Sequence, residues 1–417
     1  MGIEISRDRY LRQLVSGRHN GLIKIVTGLR RVGKSFLLFR IFKTFLMEEG
    51  VSGDHIIEVA FDDMRMESMR SPHRLISYVE RRVSAGGTAG WYYLLLDEVQ
   101  LLPRFVDVLN SLLRIEGIDI YVTGNNSRFL SSDIATDFRG RGDVIHLYPL
   151  TFSELYAHKG GDKVALWRDY YTYGGLPQVC SLDDRQKRED FLITLKSSGY
   201  IRDIIERHHI RNRSELGELA EVMASSIGSP CNPMKVGNTF RSVKGVGIER
   251  KTISRYISHM EDAFLIEKAM RYDITGRKYI GSSSKYYFQD MGIRNAILSF
   301  RQLKENHLME NIVYNELRSR GFLVDVGIVA VRQGQRYKQL EIDFVANAGS
   351  RRYYIQSAFA MPDDEKRERE RASLRHIPEA FKRIIVVRDD IMAYHDMDGN
   401  LITSLFDFLL HADSLEG

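Results

Sequence analysis

Two glycines, a lysine and a serine occur at a fixed spacing in residues 27–36, TGLRRVGKSF. The apolar run LIKIV precedes this segment, and apolar residues at helical spacing follow it as far as Gly50. Glycines let a loop curl so that its backbone N–H groups point inward, and the helix that starts there adds its positive dipole end. The spacing Gly28-x-x-x-x-Gly33-Lys34-Ser35 therefore predicts a phosphate-binding loop rather than a glycine turn with a solvated lysine. In such a loop Lys34 contacts the β- and γ-phosphates and the Ser35 hydroxyl is a ligand of Mg²⁺.

Carboxylates follow a second buried strand. Residues 91–96 of WYYLLLDEVQ form a continuous apolar run that is typical of a parallel strand, and Asp97 comes directly after it. Because open α/β sheets bind ligands at the carboxyl ends of their strands, we expect Asp97 to hold Mg²⁺. The next residue, Glu98, is predicted to act as the general base that polarises the attacking water; a solvated loop carboxylate is the alternative.

Further polar residues follow the strand DIYVTG. The amides of Asn125 and Asn126 can hydrogen-bond the γ-phosphate or the attacking water, and spacing does not distinguish between them. Arg139 and Arg141 lie on the glycine-rich segment that comes next. An arginine held in cis, or donated by a neighbouring subunit, stabilises the charge on a transferring phosphoryl group, whereas a plain surface arginine is the alternative for each.

Length and composition limit the class of protein and the number of domains. At 417 residues and 48.1 kDa the chain is expected to contain several domains, and its 43% apolar and 28% charged residues are those of a soluble globular protein. It has no uncharged apolar run of about 18 residues and no secretory apolar segment, which predicts a cytoplasmic protein without membrane contact. The distant Cys180 and Cys231 argue against a disulfide framework and a cysteine zinc site. The net charge of +5 permits nucleic-acid contact without requiring it.

Several segments together resemble a large prokaryotic family of AAA-type ATP-binding proteins that carry a C-terminal domain of uncertain function. They are GLRRVGKS, LLLDEVQ, YVTGNNSRFL, RGRGDVIHLYPLTFSEL, YYTYGGLPQV, KYYFQDMGIRNA, ENIVYNEL and EIDFVA, which span nearly the whole chain. The resemblance implies ATP and Mg²⁺ as ligands, Asp97 and Glu98 as the second nucleotide motif, and Arg141 as the arginine. The family often has Gly-Ser-Asn where this chain has Gly124-Asn125-Asn126, so the polar sensor residue stays open. The residues expected at the nucleotide are Gly28, Arg31, Gly33, Lys34, Ser35 and Phe36, with Ser35 and Asp97 at the metal.

The predicted fold class is α/β, with a P-loop AAA-type parallel sheet core. The core is expected at residues 1–150, a helical lid at 151–230, a winged-helix module at 231–300 and an α/β restriction-endonuclease-like domain at 301–417. The lid is predicted from helical patterns broken by glycines, such as YGGLPQV, whose tyrosines are expected to pack in the core or beside the adenine.

The winged-helix module is predicted from a basic helix-turn-helix pattern. The segments NPMKVGNTFRS and ERKTISRYISHMEDAFLIEKAM flank a Gly245–Gly247 turn, and the alternating KYYFQD that follows is interpreted as a β wing. Basic side chains at Arg250, Lys251 and Arg255 are suited to DNA phosphates. The alternative is a winged helix that packs against the core as plain structure, because charge marks solvated faces as often as binding faces.

The C-terminal element order resembles restriction-endonuclease-like folds. Such nucleases place one acid on the strand that corresponds to Asp343, and an acid-x-lysine pair on the next strand, where this chain has Gln356-Ser357-Ala358. Glu310 and Glu341 lie nearby in the pattern. Gln356 keeps an amide oxygen for a metal, but Ala358 cannot orient a water, so we expect this domain to cut nothing. A lysine supplied from elsewhere, such as Lys338, is the alternative.

These patterns predict a Mg²⁺-dependent ATP-binding protein, a slow ATPase that couples nucleotide state to winged-helix and nuclease-like domains able to contact nucleic acid. One alternative is a DNA-binding regulator that holds ATP as a structural ligand. Another is an active metal-dependent nuclease. Self-assembly into a homo-oligomer stays open, as does whether Arg141 acts within its own subunit.

Overall fold

A computed structural model describes residues 5–86, 90–124, 140–244, 247–333, 336–360 and 364–416. The chain divides into two compact units. The first comprises Met1–Tyr148 with Asp262–Phe264, and the second comprises Pro149–Glu261 with Leu265–Gly417. The four predicted domains are not resolved individually by this division and stay a prediction.

The first unit is built on a parallel sheet of five strands in the order β2-β3-β4-β1-β5. Its strands are β1 Ile23–Gly28, β2 Ile56–Ala60, β3 Tyr92–Asp97, β4 Ile118–Gly124 and β5 Gly142–Leu147. Its helices are α1 Asp8–Ser16, α2 Lys34–Phe36, a π-helical stretch Leu37–Phe42, α3 Lys43–Glu48, α4 Pro72–Gly86 and α5 Phe105–Leu112. Strands β1, β3 and β4 are buried along their whole length, as strands covered on both faces are. The predicted α/β fold with a parallel core is confirmed.

The two faces of this sheet differ in chemistry. One face is apolar and contributes alternate residues of β1, β3 and β4 to the main core, including Ile25, Leu94 and Ile120. The opposite face carries polar side chains, of which Lys24 and Asp119 form a buried ion pair near the amino ends of the strands. The alternation along β3 and β4 brings Asp97 and Thr123 to this polar face at the carboxyl ends. The polar face therefore leads directly to the predicted site.

The second unit begins with helices. Thr151 and Glu154 form a capping box that starts the first of them. These helices are α6 Phe152–Lys159, α7 Lys163–Tyr173, α8 Pro177–Cys180, α9 Arg185–Thr194, a π-helical stretch Leu195–Ile201, α10 Arg202–Arg207, α11 Arg213–Ser225, α12 Pro233–Lys244 and α13 Arg250–Asp262. Four more follow, α14 Met291–Ile297, α15 Glu305–Ser319, α16 Asp364–Arg375 and α17 Leu405–Leu410.

A mixed sheet of eight strands completes the second unit, in the order β12-β13-β11-β10-β9-β8-β6-β7. The strands are β6 Ile266–Asp273, β7 Lys278–Phe288, β8 Leu323–Gln333, β9 Arg336–Ala348, β10 Arg351–Ala358, β11 Lys382–Val387, β12 Tyr394–His395 and β13 Leu401–Ser404. The predicted wing KYYFQD thus begins within β7, which pairs with β6, and β6 pairs with β8. The sheet runs across the predicted boundary at residue 300.

Candidate functional site

The phosphate-binding loop starts where β1 lies against β5. Gly28 pairs with Leu147, and a Cβ atom at Gly28 would lie 2.2 Å from the Leu147 carbonyl oxygen, so no side chain fits there. Gly33 has φ of 100° and precedes α2, a backbone conformation that glycine adopts without steric cost. The two glycines of the motif are thus required by close approach at one end of the loop and by a left-handed backbone at the other.

Lys34 lies inside the loop. Its side chain is buried, and its Nζ donates to the carbonyl oxygens of Gly28 and Leu29, each at 3.1 Å. Burial lowers the pKa of Lys34 to about 8, although the nearby carboxylates of Glu98 and Asp97 act in the opposite direction. The ammonium group is therefore held where a polyphosphate would pass, and its positive charge is only partly compensated.

Asp97 ends β3 beside the loop. It is buried, and it accepts hydrogen bonds from the hydroxyls of Thr123 and Ser35. Burial raises the pKa of Asp97 against these two hydrogen bonds, and the charge of Asp62, two residues after β2, adds to the rise. A cation bound here would stabilise the ionised form of this buried carboxylate, which lies near a second acid.

The residues expected at the metal fit that role. The Ser35 hydroxyl and the Asp97 carboxylate are oxygen donors of the kind that Mg²⁺ prefers, and they lie within hydrogen-bonding distance of each other. The pKa of Asp97 is raised mainly by burial, and a bound cation would oppose that rise by stabilising the ionised carboxylate. The structure thus brings together the two residues that the sequence assigns to the metal.

Glu98 follows Asp97 in a left-handed backbone conformation, with φ of 54°. Its N–H donates to the Thr123 hydroxyl oxygen at 3.0 Å, and its carboxylate accepts from the Gln100 amide. A non-glycine residue with positive φ is uncommon, and here the bond to Thr123 holds it in place. Glu98 is half-buried at the carboxyl edge of the sheet, near enough to Lys34 to influence its pKa.

Thr123 is a site residue that the sequence reasoning did not single out. It is fully buried near the end of β4 and bridges the Asp97 side chain and the Glu98 backbone. In the sequence it is the last polar residue of DIYVTG, directly before Gly124. A polar residue at the carboxyl end of a buried strand is the signal by which the sequence could have identified it.

The structure describes only some of the remaining predicted site residues. Asn125, Asn126 and Arg139 lie outside the residues that the structure describes, and their roles stay predictions. Arg31 lies in the loop with φ of 64°, and Phe36 is exposed in the first turn of α2.

Arg141 lies away from the loop within its own chain. Its carbonyl oxygen accepts from the N–H of Ile23 at 2.8 Å, so it lies beside the amino end of β1. Gly28, at the other end of that strand, is five residues further on, which corresponds to about 17 Å at about 3.3 Å per residue. The structure therefore does not bring Arg141 to the phosphate-binding loop of its own subunit.

Comparison with known proteins agrees with this geometry. Residues 20–156 match a family model described as an AAA domain, and residues 164–304 match a domain of unknown function. An uncharacterized protein of Haemophilus influenzae is 30% identical over 411 residues, which cover 97% of this chain and 98% of that protein. The chain therefore belongs to the same family as this protein, and its residues 20–156 form an AAA domain. A second relative, an uncharacterized protein of Methanocaldococcus jannaschii, is 28% identical over 360 residues, covering 84% of this chain and 77% of that protein.

Solved structures are more distant from this AAA-type protein. A Walker-type ATPase of Pyrococcus abyssi has a TM-score of 0.48 and 16% identity, covering 71% of this chain and 96% of its own. The Orc1 protein of Aeropyrum pernix in complex with DNA has a TM-score of 0.31 and 14% identity, covering 71% and 93%. At these TM-scores neither similarity bears on function.

A second cluster of charged residues lies in the C-terminal sheet of this AAA-type protein. Lys285 on β7 is buried, and its Nζ lies 2.9 Å from Oε1 of Glu310, 2.9 Å from Oε1 of Glu341 and 3.8 Å from Oδ1 of Asp343. The Tyr287 hydroxyl also donates to Glu310, at 2.8 Å. Three carboxylates thus surround one ammonium group.

The charges of this cluster shift the pKa values of Lys285 and Asp343. Burial alone would lower the pKa of Lys285, but the three carboxylates outweigh it and raise that pKa. Burial raises the pKa of Asp343 to about 8, and Glu310 adds to the rise while Lys285 opposes it. The N–H of Ser357 donates to Asp343 at 2.8 Å, and the Gln356 amide oxygen accepts from the Asp343 N–H at 3.4 Å.

A lysine does reach these carboxylates, but it is Lys285 and not the alternative named from the sequence, Lys338. Ala358 is buried in an apolar cluster, as expected for a position without chemistry, and Lys338 is exposed on β9. The lysine comes instead from β7, in the segment KYYFQD. Because that segment was interpreted as a wing of another module, its Lys285 was not considered for this site, and only the pairing of the strands brings it there.

The predicted nucleic-acid residues lie on helix α13. Ile253, Tyr256, Ile257 and Met260 form its buried side. Arg250, Lys251 and Arg255 are all exposed, and Lys251 and Arg255 are one helical turn apart. The structure thus places the three basic side chains outside the core of the module; contact with nucleic acid stays a prediction.

Membrane contact was not expected for this chain. Among the helices of the described residues, none has the length and apolarity needed to span a bilayer.

Proposed function

We propose that this AAA-type protein is a Mg²⁺-dependent ATPase that hydrolyses ATP slowly to ADP and phosphate. The observation that carries the proposal is the arrangement of Ser35, Asp97 and Thr123, joined by hydrogen bonds at the carboxyl edge of the sheet beside the buried Lys34. A loop that served only as a structural turn would not need a buried lysine, nor a buried carboxylate next to it.

Lys34 and the loop bind the triphosphate in this proposal. The backbone N–H groups between Gly28 and Gly33 face the phosphates, and the Lys34 ammonium exchanges its two carbonyl contacts for β- and γ-phosphate oxygens. Phosphate oxygens are stronger acceptors for an ammonium group than neutral carbonyls are. Binding of ATP should therefore raise the pKa of Lys34 from its lowered value in the free protein.

Ser35 and Asp97 would hold the metal. When bound, Mg²⁺ neutralises charge that develops on the β- and γ-phosphates. Thr123 keeps the Asp97 carboxylate in position and fixes the Glu98 backbone through its N–H. Glu98 then accepts a proton from the attacking water, which makes the water a better nucleophile.

The second unit is proposed to respond to nucleotide state. The exposed basic side chains of α13 support contact with nucleic acid. The carboxylate cluster, in which Lys285 takes the place of a metal, supports a nuclease-like domain that binds nucleic acid and does not cut it. A ligand can shift such domains only by binding one arrangement more tightly than another. We infer that the ATP-bound and ADP-bound forms differ in their affinity for nucleic acid.

The test compares ATP turnover by the full chain and three variants at saturating ATP and Mg²⁺. Glu98→Gln should bind ATP nearly as wild type does and turn it over about 10²- to 10⁴-fold more slowly, the range for loss of a general base. Lys34→Ala should lose ATP affinity instead. Glu116→Gln, which makes the same change at an exposed position, is the matched control. Equal turnover by wild type and Glu98→Gln would remove Glu98 from its assigned role.

A DNA-binding regulator that holds ATP as a structural ligand is the second candidate, favoured by the exposed basic side chains of α13. Phosphate release measured with DNA, with RNA and with neither distinguishes the two. Tight ATP binding without release under any of these conditions would favour the regulator.

A further inference from the structure

Arg294 is a buried cation whose charge no carboxylate compensates. It lies on α14, in the segment GIRNA, with 3% of its surface exposed. Burial lowers its pKa to about 10, and no acidic group contributes to the shift. A buried charge without an opposite charge is costly, so this position calls for an anion.

The hydrogen bonds of Arg294 leave part of its guanidinium group open. Nε donates to the carbonyl oxygen of Ala224 at 2.8 Å, while Nη1 donates to Oδ1 of Asn295 at 3.0 Å and to the carbonyl oxygen of Gln302 at 2.6 Å. Among the described residues, Nη2 donates to none. These bonds fix the plane of the group, and its two remaining N–H donors are available to a ligand.

A cavity of about 350 Å³ adjoins this group, which is within the size range of small-ligand pockets. Its lining consists of Ser225, Ile227, Arg294, Gln302, Lys304 and His307. The lining contains an arginine, a lysine and a histidine but no carboxylate. It also offers the hydroxyl of Ser225 and the amide of Gln302.

The start of α15 adds to this positive potential. Lys304 occupies the N-cap position and makes no capping bond through its side chain, and His307 lies in the first turn of this helix of 15 residues. The acid of that turn, Glu305, is engaged elsewhere, because its carboxylate accepts from Trp167 Nε1 and from Arg388 Nε, each at 2.7 Å. The positive end of the helix dipole therefore reinforces Lys304 and His307.

We propose that this cavity binds a small phosphorylated ligand, with its phosphate group held by Arg294, Lys304 and His307. A phosphate dianion matches the charges of Arg294 and Lys304, and its oxygens can also accept a hydrogen bond from the His307 ring and suit the planar fork of an arginine. A carboxylate offers a single negative charge and fewer acceptors. None of the residues that line this cavity belongs to the phosphate-binding loop, and the proposal does not depend on the proposed ATPase function.

The test uses the full-length Lys34→Ala protein, so that the phosphate-binding loop does not contribute. Calorimetric titration with inorganic phosphate at constant ionic strength should give saturable binding to one site. Lys304→Gln and His307→Gln, both at exposed positions that tolerate substitution, should each weaken binding about tenfold, as loss of a charge-assisted hydrogen bond does. Arg301→Gln removes a charge three residues from Lys304 without touching the cavity and should leave binding unchanged.

Further titrations identify the ligand class. Tighter binding of glycerol phosphate than of inorganic phosphate would assign the cavity to an organic phosphate, and equal binding would assign it to the free ion. Acetate that binds as tightly as phosphate would overturn the assignment in favour of a carboxylate. Absence of saturable phosphate binding, or an equal loss in Arg301→Gln and Lys304→Gln, would also overturn it.

Discussion

The hydroxyl of Thr123 donates a hydrogen bond to Oδ1 of Asp97, and both side chains are buried. The same hydroxyl oxygen accepts the N–H of Glu98 at 3.0 Å. One side chain on β4 thus links the carboxylate expected at the metal with the backbone of the expected general base. Neighbouring parallel strands make this possible, because Leu96 pairs with Val122 and the next residue of each strand lies at the same edge.

Thr123→Val should slow ATP turnover about tenfold or more while leaving ATP affinity within about twofold of wild type. Valine has nearly the same shape but removes the donor to the buried Asp97 carboxylate and the acceptor of the Glu98 N–H. A buried group left without its partner costs about 1–3 kcal/mol. The expected pattern is a fall in kcat at nearly constant KM, together with a lower midpoint of thermal unfolding.

Thr123→Ser is the matched variant, since it keeps the hydroxyl and removes only a methyl group. It should recover most of the turnover lost in Thr123→Val. If the serine variant is as slow as the valine variant, packing of the methyl group rather than the hydrogen bond accounts for the loss.

The loop and the first carboxylate were predictable from sequence, while the residue that links Asp97 to Glu98 was not. Gly28, Lys34 and Asp97 each follow a local pattern of strand and loop that fixes their place at a sheet edge. Thr123 depends on which strand lies beside β3, and Arg141 depends on where β5 starts relative to β1. Strand order and register depend on residues far apart in the sequence. Contacts that depend on them therefore cannot be predicted from local sequence patterns.

The ATP affinity of this protein should fall as pH rises above about 8, the value to which burial lowers the pKa of Lys34 in the free protein. Above that pH the free protein loses the proton, whereas the nucleotide complex requires the charged ammonium. Binding must then take up a proton, so the logarithm of Kd should rise with pH with a slope that approaches one. Fluorescence titration with ATP at several pH values measures this slope.

The same shift affects stability with a definite sign. An unfolded chain holds the lysine proton up to an ordinary pKa of about 10.4, while the folded chain loses it near 8. Between these values the unfolded state binds more protons, so the contribution of Lys34 to the free energy of unfolding should rise with pH. Lys34→Met should lack both the affinity slope and this rise, whereas Lys187→Ala, at an exposed position, should keep both.

Arg141 should act only across a subunit boundary, if it acts in catalysis, because it lies beside Ile23 at the opposite end of β1 from Gly28. Arg141→Ala and Lys34→Ala should each have low turnover alone. Mixed together they should recover part of the activity, since some interfaces then combine an intact loop with an intact arginine. Arg114→Ala, also exposed, is the control. No recovery in mixtures shown by mass to contain both chains would exclude this role.

The exposed basic side chains of α13 should contact nucleic-acid phosphates. Alanine at Arg250, Lys251 or Arg255 should each reduce the slope of log affinity against log salt by about one, without changing sequence preference. Lys159→Ala on α6 is a matched control outside this face. Binding measured by fluorescence anisotropy at several salt concentrations gives the slope. Lack of any binding by wild type at low salt would make α13 a structural element only.

The last prediction is that the C-terminal domain cuts no nucleic acid, because Lys285 lies where the carboxylates would hold a metal. Its Nζ is 2.9 Å from both Glu310 and Glu341, and it neutralises part of the charge that a divalent cation requires. Single- and double-stranded DNA and RNA should remain intact with Mg²⁺ or Mn²⁺, with or without ATP.

Lys285→Met separates a blocked metal site from a working nuclease. Removal of one partner from a buried ion-pair cluster should cost about 3–5 kcal/mol in the free energy of unfolding. Because the carboxylates then lack a cation, Mn²⁺ should raise the unfolding midpoint of this variant and leave wild type unchanged. Lys338→Met, at an exposed position on β9, should behave as wild type in both measurements. Cleavage by wild type that disappears in both Asp343→Ala and Lys285→Met would instead identify Lys285 as the lysine of an active nuclease.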